Sequence, residues 1–171
     1  MIKRFPINFQ TWIDENRHLL KPPVCNQVIF DDSDFIVMVV GGPNARLDYH
    51  VNQQDEFFYQ IEGNMDLKII DEGKPRTIQI QQGEIFMLPA KVPHSPQRYE
   101  NSVGLVIEHK RAPEMEDGFQ WYCPKCHELL YQKFIHVHDI VQQLPEVFND
   151  FYNNDQNSFC DRCQLKVIRN V

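Results

Sequence analysis

Seven short runs rich in Val, Ile and Phe, at 28–30, 35–40, 56–61, 67–70, 77–80, 85–88 and 103–107, constrain this chain more than any other feature. Gly41-Gly42-Pro43, Glu62-Gly63-Asn64, Glu72-Gly73-Lys74 and Gln82-Gly83 punctuate them. β-Branched and aromatic side chains suit a pleated, half-buried surface, and glycine supplies the backbone freedom of tight turns. Short strands at this spacing predict a mainly β fold, an antiparallel sandwich or barrel.

Helical text lies at the two ends. Asn8 can cap a short helix that carries Phe9, Trp12 and Ile13 on one side and ends before Pro22-Pro23. The composition changes near Arg111-Ala112-Pro113. Beyond it come a cysteine pair, a helical stretch from about 139 to 152 and a second cysteine pair. Asp139 reads as the cap of that stretch, and Pro145 is expected to break it or to start a second helix. The expected division is a barrel over 1–112 and a C-terminal appendage over 113–171.

A chain of 171 residues has room for one compact domain and a small addition. Lys and Arg number 17 against 24 Asp and Glu, and no basic tract suggests nucleic-acid binding. The longest apolar run, 35–40, is too short to span a bilayer. The first residues carry no apolar stretch behind their charges, so neither a secretory signal nor a membrane anchor is expected. The expectation is a soluble, cytoplasmic protein.

Two sets of residues carry chemistry. His50, Glu56 and His94 sit on two strand-like segments. Two imidazoles and one carboxylate form the ligand face of non-haem Fe(II) oxygenases, which leaves positions free for a substrate and for dioxygen. The second set is Cys123, Cys126, Cys160 and Cys163, two C-x2-C pairs with metal-site spacing. Four thiolates complete a tetrahedron around Fe or Zn with no open position, which is a structural site that would staple the appendage. His127 is an outside candidate for that site, and Cys25 reads as a small apolar filler near the pocket. His136 and His138 lack a carboxylate at matching spacing and read as structural.

His50, Glu56 and Gly63 fall at the positions of the first cupin motif, and Gly83, Pro89 and His94 at those of the second. On these residues the chain resembles the cupin superfamily, which implies a jelly-roll β-barrel. Asn52 stands where many cupins carry another histidine, Lys91 replaces a glycine and Arg98 replaces an asparagine. With Arg46, Arg98 and both cysteine pairs, the chain resembles the 3-hydroxyanthranilate 3,4-dioxygenase family in its bacterial form, which has a C-terminal rubredoxin-like four-cysteine site.

The resemblance implies Fe(II) on His50, Glu56 and His94, with 3-hydroxyanthranilate and O2 as substrates and 2-amino-3-carboxymuconate semialdehyde as product. That reaction belongs to tryptophan catabolism through kynurenine and leads to quinolinate and NAD. Arg46 and Arg98 are expected on the substrate carboxylate, which a guanidinium fork binds better than an ammonium. Glu108, with Glu56, is expected at the substrate's metal-binding edge, where Glu108 could accept the phenol proton. Asn26, Val24, Phe58 and Pro96 are expected to line the pocket, and the family implies a homodimer. Two alternatives stand beside this reading. One is a cupin dioxygenase for another aromatic acid, separable by whether the amino group is required. The other is a non-catalytic cupin that binds a small carboxylate without oxygen uptake.

Overall fold

The computed structural model describes residues 5–22, 25–30, 32–138 and 140–169. Helix α1 (Phe9–Asn16) leads into strands β1 (Asn26–Phe30), β2 (Phe35–Gly41), β3 (Asp48–Val51), β4 (Glu56–Glu62), β5 (Met65–Asp71) and β6 (Lys74–Ile80). There follow β7 (Ile85–Leu88), β8 (His94–Arg98), β9 (Val103–His109), β10 (Asp117–Tyr122) and β11 (Leu129–Ile135). Helices α2 (Ile140–Tyr152) and α3 (Asp155–Ser158) and the short strands β12 (Phe159–Cys160) and β13 (Leu165–Lys166) close the chain. Among the described residues no helix is long and apolar enough to cross a membrane.

Two antiparallel sheets make a cupin-type barrel. One runs β1-β2-β9-β4-β7 and the other β11-β10-β3-β8-β5-β6. All seven runs expected from sequence lie within strands, namely β1, β2, β4, β5, β6, β7 and β9. Local chemistry sets the hairpins. Asp71 pairs with Lys74, so β5 and β6 are joined by Glu72 and Gly73 alone, at φ +48° and +75°. Positive φ at both central residues gives the turn a twist that matches the flanking strands.

The alternation of each strand divides its residues between barrel interior and exterior. Phe58 and Val106 of the first sheet meet Met65, Leu67, Ile69 and Ile80 of the second in a buried core. The opposite face of the first sheet is covered by α1. Asn8 caps that helix by accepting from the Thr11 amide at 3.0 Å, and Ile13 packs with Leu20, Val39 and Val103. Gly41 permits the approach, because a Cβ there would lie 1.9 Å from the Leu20 carbonyl oxygen.

The C-terminal region departs from expectation in two ways. The six-stranded sheet runs across the 112/113 division, since β10 pairs with β3 and β11 pairs with β10. Phe119 and Trp121 of β10 share a core with Val147 and Phe151 of α2, so this part of the chain packs on the barrel sheet itself. Helix α2 also runs through Pro145 without a break. Pro145 lies early in the helix, where its missing N–H forfeits one intrahelical bond, and the apolar packing of Val147 and Phe151 holds the helix beyond it. The expected cap Asp139 and the expected pocket residue Val24 lie outside the described residues.

Candidate active site

Strands β3 and β8 are neighbours, and their pairing sets His50 directly opposite His94. Glu56 begins β4 in the facing sheet. The fold therefore brings together three residues that the sequence separates, with one ligand atom from each within 4.8 Å of the others. Glu56 Oε2 lies 3.1 Å from His94 Nε2. Among the described residues this buried oxygen has no hydrogen bond, and the close approach suits two ligands of a common ion.

Each imidazole has one nitrogen engaged by an oxygen. His94 Nδ1 meets the Val92 carbonyl at 3.0 Å, and His50 Nε2 meets Asp117 Oδ2 at 2.8 Å. These oxygens can only accept, so they place the proton on those nitrogens and leave one lone-pair nitrogen on each ring. Burial opposes charge at both Glu56 and His94. Mutual attraction overcomes it, lowering the Glu56 pKa and raising that of His94. The donor set thus fits a divalent ion with open positions.

The two arginines expected as a pair are placed differently. Arg98 is 3% exposed and donates from Nη1 to Gln60 Oε1 at 3.3 Å. Among the described residues no carboxylate forms an ion pair with it, and burial pushes its pKa down to about 10 despite the Glu56 charge. Gly104 makes room for the guanidinium, since a Cβ there would lie 2.5 Å from Arg98 Nη1. Arg46 instead forms an ion pair with Asp48.

Glu108 lies opposite Glu56 across the β4–β9 pairing. Asn52 Nδ2 donates to its Oε2 at 2.8 Å, so the residue standing in a cupin histidine position holds a second carboxylate. The cation on Glu108 is Arg111 at 2.9 Å. Burial and the Glu56 charge raise the Glu108 pKa, while Arg111 opposes them. Arg111 also holds Asp117, whose carboxyl would be pushed up by burial but is brought down to about 2 by His50 and Arg111. Sequence reasoning missed Arg111 and Asp117, because their role depends on pairing between β10 and β3, which no local pattern reports.

Of the expected lining residues, Phe58 is buried with its ring 6.3 Å from that of His94. Pro96 lies between His94 and Arg98 on the alternate positions of β8, and so on their face. Asn26 is exposed on β1, opposite Val40. Cys25 is half-buried at φ +63° and belongs to neither metal-capable group. His136 and His138 stack with ring centroids 6.3 Å apart and likewise join neither group.

The four thiols of Cys123, Cys126, Cys160 and Cys163 also gather with all sulfurs within 4.8 Å of one another. Each pair is followed by a residue in the left-handed region, His127 at φ +60° and Gln164 at φ +53°, so the two turns are built alike. Burial pushes the Cys123 thiol up, but the amides of Cys126 and Lys125 bring it down to about 7, which favours the thiolate form a metal needs. His127 is exposed and lies outside the cluster.

Barrel and ligand face together define a cupin-type metalloprotein. The chain belongs to the 3-hydroxyanthranilic acid dioxygenase family, which it matches over residues 1–152. It is 53% identical over 158 residues to the 3-hydroxyanthranilate 3,4-dioxygenase of Xanthomonas euvesicatoria pv. vesicatoria strain 85-10, covering 92% of this chain and 89% of that one. Its identity to the enzyme of the same name from Paraburkholderia phytofirmans is 50% over 159 residues, covering 92% and 91% of the two chains. A solved protein from Neisseria meningitidis shares the fold at 19% identity and a TM-score of 0.50, covering 62% of this chain and 100% of that one.

Proposed function

We propose that this chain is an Fe(II)-dependent ring-cleaving dioxygenase that converts 3-hydroxyanthranilate and O2 to 2-amino-3-carboxymuconate semialdehyde. The observation that carries this reading is Arg98, a buried guanidinium with no carboxylate partner among the described residues, on the same face of β8 as the ligand His94. An aromatic acid whose other edge carries an amino and a hydroxyl group suits that arrangement, with its carboxylate on the cation and its polar edge at the metal. The names of the relatives support the same substrate.

Fe(II), when bound, supplies one centre for the ring's polar edge and for dioxygen, and a path for electron density between them. The chain's own tasks are separate. His50 and His94 offer neutral imidazoles, and Glu56 offers the anionic ligand. Arg98 receives the substrate carboxylate through its guanidinium fork. Arg46, already balanced by Asp48, contributes a weaker second contact. Glu108 takes the phenol proton on a carboxylate oxygen, and its raised pKa makes it a better acceptor than an exposed glutamate. Phe58 and Pro96 keep the ring's surroundings apolar and exclude water.

The four-cysteine cluster is read as a structural Fe or Zn site. Its free thiols suit a reducing, cytoplasmic setting. A homodimer accords with apolar side chains left exposed on the first sheet, among them Phe35, Ile85 and Met87. Oxygen consumption by Fe(II)-loaded protein tests the central claim. Uptake with 3-hydroxyanthranilate, matched one-to-one by ring-opened product and absent with anthranilate, is the expected result. No uptake at verified iron occupancy would overturn it.

A further inference from the structure

We infer that Asp117 and Arg111 are positioning residues that fix the orientation of His50 and bind it into one unit with Glu108. Asp117, the first residue of β10, is 1% exposed. Its Oδ2 meets His50 Nε2 at 2.8 Å. Arg111 grips the same carboxylate, with Nε 3.1 Å from both oxygens and Nη2 2.8 Å from Oδ2. The other side of the guanidinium is bidentate to Glu108, with Nη1 to Oε1 and Nη2 to Oε2 both at 2.9 Å. Asn52 Nδ2 closes the circuit onto Glu108 from a position two residues beyond His50.

The circuit therefore starts and ends on the segment that carries the ligand. Phe119 completes the clamp, its ring stacked on that of His50 at 5.5 Å with 27° between the planes. His50 is thus held by one edge and one face. The carboxylate at that edge can only accept, so it keeps the proton on Nε2, leaves the lone pair on Nδ1 and sets a formal negative charge directly behind the ligand. Fold stability alone is a poor reason for the arrangement, because a buried ion pair often contributes no more than apolar side chains of the same volume. The guanidinium between Asp117 and Glu108 also places the group that handles the proton and the group behind the ligand under one constraint.

The inference rests on the reading that His50 holds the catalytic metal, and the test separates the two. Protein with its four-cysteine site filled is titrated anaerobically with Fe(II) against a competing chelator, for wild type, His50→Ala, Asp117→Asn and Arg111→Lys. Loss of one Fe(II) equivalent in His50→Ala supports the metal centre; retention of that equivalent, or its absence from wild type, overturns that reading and this inference with it. With the centre in place, Asp117→Asn is expected to bind Fe(II) about 10–100-fold more weakly. Its kcat at saturating iron should fall while KM for the aromatic acid changes little. Asp117→Asn that keeps its unfolding midpoint and binds Fe(II) as tightly as wild type would overturn the inference. Should that variant fail to fold, Arg111→Lys decides. Lysine keeps the charge but cannot fork to both carboxylates, so weakened Fe(II) binding supports the inference and wild-type binding overturns it.

Discussion

Among the described residues, Arg98 holds its positive charge inside the barrel against a single side-chain amide oxygen. Burying an unpaired charge costs several kcal/mol, so the residue has a standing demand for an anion. Replacing Arg98 with Gln should remove two charge-assisted bonds to substrate, each worth about 1.5–3 kcal/mol. Steady-state kinetics should then show a rise in KM and a loss in kcat/KM of about 100-fold or more. Arg46→Gln should cost less, because Asp48 already engages that guanidinium; an equal or greater cost would reverse the assignment. The gathering of His50, Glu56 and His94 was legible in the sequence because two imidazoles and a carboxylate stand at the positions of the two motifs that resemble the cupin superfamily. The contrast between the two arginines was not. It depends on Asp48 being within reach of Arg46 and on Gly104 leaving room for Arg98, and a linear reading reports neither.

Among elements, β10 and β11 are the longest strands that the seven apolar runs do not include. Gly118 and Gln120 interrupt the apolar text of β10, and Pro113 and the first cysteine pair flank it, so the stretch reads as the start of the appendage. Tertiary pairing settles the matter, because β3 supplies a sheet edge and Phe119 and Trp121 gain cover from α2. Truncation after Ala112 would strip β10 and β11 from the sheet, expose the β3 edge and remove Asp117 from His50. Such a fragment is expected to be insoluble or to lack cooperative unfolding by circular dichroism. A soluble, cooperatively folded fragment would restore the 112/113 division as a domain boundary.

For the whole molecule, the two metal-capable clusters perform different work on one scaffold. The thiols tie the end of β10 to the β12 region, which follows α3, so they close the C-terminal segment against the barrel. Removing one, as in Cys160→Ser, is expected to lower the thermal unfolding midpoint and the metal content of that site. Oxygen uptake per folded molecule should persist at low temperature. Its abolition in folded protein would give the distal metal a part in the chemistry. The six residues of β10 begin with Asp117 on one centre, and the next residue, Cys123, belongs to the other. Side chains on a strand change sides at every step, so inserting or deleting a single residue between them would keep one centre and turn the other away. The stretch is fixed in length, and Phe119 and Trp121 fix two of its letters as well. A chimera that exchanges C-terminal segments with a relative keeps both centres only where the five residues between Asp117 and Cys123 keep their number.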